Sequence, residues 1–311
     1  MGHTCPFRSC TFEHPPLPIP VSNMTCHRLS LSSSRLSLLQ AICTFLYTYF
    51  STKPRLLFTP ECLLNNRDYL FVALHRGNII GTVRYHFIGT LFVKNQKAPP
   101  IYLVDAFCIH PAYRKRGVGS YLLTELHRYA NQQGLPYTMF LKEGPVLPVL
   151  PLPLYSGCYV YRRCLRKICP SVLSLTMEQA HQWVSIYMTC QPHTLMIRNR
   201  TSKQCWKAYR QGPVSILACI QDSHQQMSSG QRMGWVTVWL ESPNVTDAIR
   251  RDAAIALSDT VSDYEWVWIN RRWTGYSLQD DAPWKDDGGF HWYAYQFSTS
   301  LSMDTSYGIM N

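Results

Sequence analysis

Residues 104–130 constrain this 311-residue chain more than any other stretch: a hydrophobic strand passes through a His-Pro turn and a basic bend into a long amphipathic helix. The bend reads Arg114-Lys115-Arg116-Gly117-Val118-Gly119, with Ser120 behind it. Val118, Tyr121, Leu122, Leu126 and Tyr129 then recur at three- and four-residue steps, the spacing of one buried helix face, and Gly134 stops the helix. The start of a helix leaves its first backbone N–H groups without intrahelical partners, and its dipole favours an anion there. Glycines at the bend remove the bulk that would hold a ligand away, and three cations stand in front of them. The pattern fits a pyrophosphate cradle. Its competitor is a basic turn that merely caps a surface helix; the strand before the bend and the long helix after it favour the cradle.

The rest of the chain reads as an alternation of hairpins and helices. Ser32-Ser33-Ser34 offers capping hydroxyls to a helix ending near Phe50. Strands are expected at 68–75 and 79–88, joined by Arg76-Gly77-Asn78, then a polar turn over 94–100 and a strand over 101–109. A helix over 117–133 and a strand over 135–141 follow. Residues 145–153 (PVLPVLPLP) exclude helix and central strand, and 155–163 alternates as a strand. The second half repeats this order: a helix over 176–188, strands over 214–221 and 234–240, and a helix over 244–261 opened by Asn244 with Asp247 three residues on. Aromatic strands over 264–270 and 290–297 close it. The expected organisation is a Pro/Cys-rich segment 1–22 without fixed structure, a first lobe over 23–168 and a related second lobe over 169–311.

Composition narrows the partners. Hydrophobic residues make up 46% and charged ones 16%, which argues for packed cores and against extended disorder. The formal charge of +11 suits a polyanionic ligand, yet the cations lie in scattered pairs such as Arg162-Arg163 and Arg271-Arg272, which disfavours nucleic acid. Twelve cysteines without a Cys-x-x-Cys pair point to reduced thiols in the cytoplasm. Cys5, Cys10, His14, Cys26 and His27 lack zinc-site spacing, so no metal is expected. The start is unlike a secretory signal. Residues 36–50 fall short of the roughly twenty apolar residues that span a bilayer, so no membrane span is expected.

Residues 104–130 resemble motif A of the GNAT acyltransferases, whose signature is Arg/Gln-x-x-Gly-x-Gly/Ala after the fourth strand, and elements from about Ser32 to Arg163 follow the order of that fold. The resemblance implies an α/β (α+β) fold, a mixed twisted sheet with flanking helices, here as two tandem lobes. It implies an acyl-CoA cofactor, acetyl-CoA first, with an amine as acceptor. Phe107, Cys108 and Ile109 would flank the pantetheine arm; Arg114, Lys115, Arg116, Gly117, Val118, Gly119 and Ser120 would hold the pyrophosphate. A narrower similarity links Asp105-Ala106-Phe107-Cys108-Ile109-His110 and Gly144-Pro145-Val146-Leu147-Pro148 to the N-myristoyltransferases, themselves two GNAT lobes in one chain. The Gly117-Val118-Gly119 turn is the acetyl-type one, and the tail Gly308-Ile309-Met310-Asn311 departs from the myristoyltransferase terminus.

Acyl transfer from a thioester needs a neutral amine, a polarised carbonyl and a proton for the leaving thiolate. Asp105 shares a strand face with Phe107 and is the candidate base, against a structural role in bonding nearby backbone. Tyr155 is the candidate acid, in a region where the family's usual helix gives way to the Pro-rich run. Cys108 sits among apolar neighbours and reads as an inert thiol. Three functions stand open: acetyl or short-acyl transfer to an amine, long-chain transfer of the myristoyl type, and CoA binding without turnover.

Overall fold

The computed structural model describes residues 23–30, 36–50, 55–93, 96–135, 138–144, 152–190, 196–198, 204–277, 283–295 and 307–310. The N-terminal segment 1–22 and the run 145–151 lie outside the described residues. In chain order the elements are β1 (Met24–Leu29), α1 (Leu36–Tyr49), β2 (Arg55–Leu56), α2 (Pro60–Leu63), β3 (Tyr69–His75), β4 (Asn78–Val93) and β5 (Gln96–Ile109). Then come α3 (Val118–Gln132), β6 (Thr138–Glu143), β7 (Leu152–Arg163), β8 (Val172–Leu175), α4 (Met177–Cys190) and β9 (Met196–Arg198). The chain continues with β10 (Cys205–Gln211), β11 (Val214–Gln226), β12 (Arg232–Glu241), α5 (Asp247–Asp259), β13 (Trp266–Asn270), β14 (Lys285–Tyr295) and β15 (Tyr307–Met310).

The main path of the sheet runs β1-β3-β4-β5-β6-β14-β7-β13-β12-β11-β10-β8. Inward from either end it meets the same sequence of elements. The edge strands β1 and β8 each precede a helix, α1 or α4. Three antiparallel neighbours follow on each side, then a second helix, α3 or α5. A strand parallel to the last of the three comes next, β6 beside β5 and β13 beside β12. The two halves meet where β14 pairs antiparallel with β7. There the order of the chain is crossed: β14, from the second half, borders β6, and β7, from the first, borders β13. Each half is thus completed by a strand of the other, β14 in the first and β7 in the second. We propose a boundary at residue 168, in the loop between β7 and β8.

Four helices cover the sheet because each carries one apolar stripe. Leu39, Ile42, Cys43, Phe45 and Leu46 of α1 are buried against β5 residues Ala106 and Cys108. Val118, Leu122, Leu126 and Tyr129 of α3 pack on Val83, Tyr85 and Tyr102 on the opposite side. Ala180 and Val184 of α4 meet Trp206 and Leu217, and Ala253, Ala254 and Leu257 of α5 meet Trp239 and Val267. One cluster joins the halves, since it holds Leu103 and Met139 together with Val236 and Trp292.

Two expectations need correction. The turn expected over 94–100 is largely strand: β4 runs to Val93 and β5 begins at Gln96. Its prolines are tolerated because register shifts interrupt the β4–β5 ladder around Thr90, while β9 pairs with β4 at Thr90–Phe92 and supplies other partners. Helix α5 is capped not by Asn244, which sits in a left-handed turn (φ 69), but by Thr246, whose side chain accepts from the Ile249 amide.

Because of the strand exchange, residues 23–168 alone would leave β6 and β7 each without the neighbour β14 supplies. That fragment is expected to aggregate or to lack a cooperative thermal transition, and co-expression with 169–311 is expected to restore it. Cooperative unfolding of the isolated fragment would show that the exchange is dispensable.

Candidate functional site

The site grows from a defect in the β4–β5 ladder. Register passes from Thr82↔Cys108 to Arg84↔Asp105, so β5 carries one extra residue there, and Ala106 turns to φ 46. The Thr82 hydroxyl donates to the Ala106 carbonyl at 2.8 Å. A trans peptide points its N–H opposite to its C=O, so the Phe107 amide faces away from β4. On that side β6 pairs with β5 only at Tyr102 and Leu103 and then leaves it for β14. From Val104 to Ile109 the outer edge of β5 has no strand partner among the described residues. A V-shaped gap results, with an amide donor at the bulge and half-exposed Phe107 beside it.

At the open end of the gap lies the start of α3. Gly117 is left-handed (φ 77), and its carbonyl accepts the first helical bond, from Tyr121 at 2.9 Å. The amides of Val118, Gly119 and Ser120 therefore have no intrahelical acceptor, no side chain caps them, and the first turn holds no acid. A Cβ on Gly119 would stand 3.0 Å from Cζ of Phe107, so glycine is what lets this turn lie against the bulge. The three cations divide the work. Arg114 is tied into the fold, donating to the carbonyls of Ile109 (3.1 Å) and Tyr49 (3.4 Å). Lys115, left-handed at φ 60, and Arg116 are exposed and available to an anion. His110 packs on Tyr49 with ring centroids 4.5 Å apart, and His75 bonds the Tyr113 hydroxyl at 2.8 Å, which fixes the turn between strand and helix.

Asp105 is held by a bidentate pair with Arg84, Nε to Oδ1 at 2.6 Å and Nη2 to Oδ2 at 2.5 Å. Arg84 also donates to the carbonyls of Cys62 and Leu63 and is 3% exposed. Burial works against the guanidinium charge, and the Asp105 carboxylate more than offsets this, so the Arg84 pKa is raised. The geometry thus gives Asp105 a structural partner on both oxygens. Tyr155 lies in β7 opposite Trp292, and its side chain is outside the described residues. Burial pushes the Cys108 thiol up to about 11, which keeps it unreactive at neutral pH.

Sequence reasoning missed a second pair on the same face. His86, two residues from Arg84 on β4, bonds through Nδ1 to Asp68 at 2.9 Å. The Asp68 carboxylate is buried and also accepts from the amides of Phe87 and Asn65. Alternation in the strand expected over 79–88 carried the signal, since Arg84 and His86 share a side. The second half enters here too. Leu57 donates its amide to the His224 carbonyl, Phe58 packs on the His224 ring at 4.9 Å, and Arg84 lies over the other side of the junction, 4.7 Å from the Phe58 ring centroid.

The counterpart of α3 in the second half is closed. Thr246 caps α5, Asp247 opens its first turn, and Arg250 bonds both Asp247 and Glu241. An anion has no seat there.

Residues 36–145 match the model of the acetyltransferase (GNAT) family. The chain carries a GNAT acyltransferase domain. Among solved structures it resembles N-myristoyltransferase of Saccharomyces cerevisiae with bound myristoyl-CoA: TM-score 0.64, 12% identity, over 92% of this chain and 86% of that one. A second structure of the yeast enzyme, with myristoyl-CoA and inhibitors, gives 0.63 and 11% over 96% and 87%. Eis1 of Mycobacterium abscessus aligns at 0.44 and 13%, over 88% and 73%. No curated protein matches the chain. The likeness shows a shared fold, a mixed sheet with flanking helices. Among the described residues no group of side chains is arranged to hold a metal, and no helix is long and apolar enough to cross a membrane.

Two expected outcomes test the site. Replacing Asp105 with Asn should leave a buried guanidinium unpaired and lower stability by about 3 kcal/mol in urea unfolding; an unchanged midpoint with lost turnover would instead make Asp105 a base. His224 supplies the second test. Burial first, then the Arg84 charge, against Asp222 and Asp105 acting upward, brings its imidazole from 6.5 down to about 4. Between those values the unfolded chain binds the proton more readily, so stability is full above about pH 6.5 and falls as pH drops toward 4. The parent should lose up to about 3 kcal/mol over that window relative to His224→Gln, and parallel pH curves would refute the assignment.

Proposed function

We propose that the protein moves an acetyl group from acetyl-CoA to an amine by direct transfer, with the first half binding the donor and the second, a degenerate GNAT-like lobe, bordering the acceptor. The observation that carries this reading is the uncapped, acid-free, left-handed start of α3 beside a bulged strand. The pyrophosphate sits on the amides of Val118, Gly119 and Ser120, with Lys115 and Arg116 reaching its oxygens and Arg114 bracing the turn. The pantetheine arm then runs along the free edge of β5 past Ile109, Cys108 and Phe107. The Phe107 amide donates to the thioester oxygen as negative charge develops there.

Holding both reactants on one face supplies the rate through positioning. With Asp105 engaged by Arg84, His86 is the better candidate to receive the amine proton, its Nδ1 held by Asp68 as in other carboxylate-oriented imidazoles. Tyr155 remains the candidate acid for the thiolate, on a strand that borders the second half. Nine of the cysteines among the described residues are free thiols, which fits the cytoplasmic setting we propose.

Long-chain transfer is the second reading, favoured by the likeness of the whole chain to a fold solved with myristoyl-CoA. Thermal shift separates the two. Acetyl-CoA at a hundred times its Kd should stabilise the chain by about 2.7 kcal/mol. Myristoyl-CoA should add nothing beyond CoA itself, and a much larger shift with it would favour the long-chain reading. Gly117→Ala and Gly119→Val should each weaken CoA at least about tenfold while circular dichroism stays unchanged; undiminished binding would remove the pyrophosphate from this turn.

A further inference from the structure

Between the two halves of the chain, residues 163–170 connect β7 to β8 with the sequence Arg-Cys-Leu-Arg-Lys-Ile-Cys-Pro. Ile168 is 97% exposed and Leu165 51%. Arg163, Arg166, Lys167 and Pro170 are exposed around them. Single surface aliphatics are ordinary, but here two stand among three cations within six residues. The loop is not loose. The Cys164 amide donates to the Glu265 carbonyl at 2.8 Å and the Lys167 amide to that of Asp259 at 2.8 Å. The Leu165 amide bonds the Asp259 carboxylate at 3.1 Å, and Asp259 is itself buried against Arg162 at 3.0 Å. Arg166 is left-handed (φ 54) without being glycine, a conformation kept only where its surroundings enforce it. A fold that pins a loop this firmly while turning its aliphatic side chains to water has a use for them. Beside them a cleft of 390 Å³ opens among Arg163, Cys164, Leu165, Arg166 and Glu265.

We propose that this loop docks the enzyme on an anionic lipid bilayer, with Leu165 and Ile168 entering the interface and Arg163, Arg166 and Lys167 meeting lipid phosphates. Aliphatic side chains alternating with long cations suit the boundary between acyl chains and headgroups, where the charged ends stay at phosphate level. The cleft between Arg163 and Arg166 gives one headgroup a seat; Glu265, at 3.2 Å from Arg166, is the acid in contact and offsets one charge. A protein partner would instead call for a wider patch with aromatic anchors, which this short loop lacks.

The full chain is sedimented with phosphatidylcholine vesicles and with vesicles that also contain phosphatidylserine. The anionic vesicles should bind at least about tenfold more tightly, with the advantage falling as salt rises. Because the chain carries +11 overall, the deciding variant is Leu165→Ser with Ile168→Ser, which leaves that charge unchanged. It should lose binding at least about tenfold. Both side chains are exposed, so its melting curve and its response to CoA should match the parent's, which keeps this outcome separate from the fate of the cofactor site. Arg163→Gln with Lys167→Gln should remove most of the salt-sensitive part. Absence of binding, equal binding to neutral vesicles, or parental binding by the Ser variant would each overturn the proposal, the last by assigning the attraction to general charge.

Discussion

The antiparallel pairing of β14 with β7 is the constraint from which the rest of the molecule follows. It places β7 of the first half and β14 of the second each inside the other's sheet. That exchange draws β6 away from β5 and β13 away from β12, because β6 must follow β14 and β13 must follow β7. A parallel pair held along its whole length would leave no gap. Here the pairs close for only two or three residues, Tyr102–Leu103 with Thr138–Met139 and Met233–Trp235 with Trp266–Trp268. The same pairing buries Trp292, whose indole donates to the Tyr159 hydroxyl across the junction at 3.0 Å. Opening the cleft and joining the halves are one structural event.

Within the first half, the bulge needs support on the side away from the gap. Thr82 holds the Ala106 carbonyl, and the Arg84–Asp105 pair locks the next register position. Arg84 is buried, so removing its partner leaves a charge that water cannot reach. Through Phe58 the same guanidinium meets the strap of residues 55–58 that lies on β11, and through it His224. The amide that would polarise a thioester is thus braced by contacts that extend into the second half.

The geometry of the turn before α3 was legible in the sequence because its requirements are local: glycine at a left-handed cap, no acid in the first turn, cations before it and a helical stripe behind. The repeat of elements was legible for the same reason. What was hidden depends on distant partners. Edge strand β1 and strand β10, with Lys207 and Arg210 inside it, carry too much polarity to announce themselves, and β8 is only four residues long. The exchange of β7 and β14 leaves no mark on either strand's own pattern. Asp105 looked free because its partner, Arg84, is 21 residues away. Lys207 shows the limit plainly: it is buried, yet its ammonium is satisfied by Ser174 and the Thr260 carbonyl, which only the folded chain brings near.

Two halves with one plan differ in what a helix start is used for. In α3 the first amides have no intrahelical acceptor and no side-chain cap, and the turn before them is built from glycine and exposed cations. In α5 the equivalent amides are satisfied from within: Thr246 caps, Asp247 repels anions, and Arg250 links Asp247 to Glu241, which also accepts from the Trp239 indole at 2.7 Å. Gly275 confirms the difference in packing, because a Cβ there would lie 2.2 Å from the Asp247 carbonyl oxygen. The chain after β13 thus presses directly on the first turn of α5, where a pyrophosphate would need open space. An anion-binding helix start and a tightly capped one are alternatives at the same place in the same fold, and a handful of side chains decides between them. That choice leaves an open helix start in the first half and a closed one in the second.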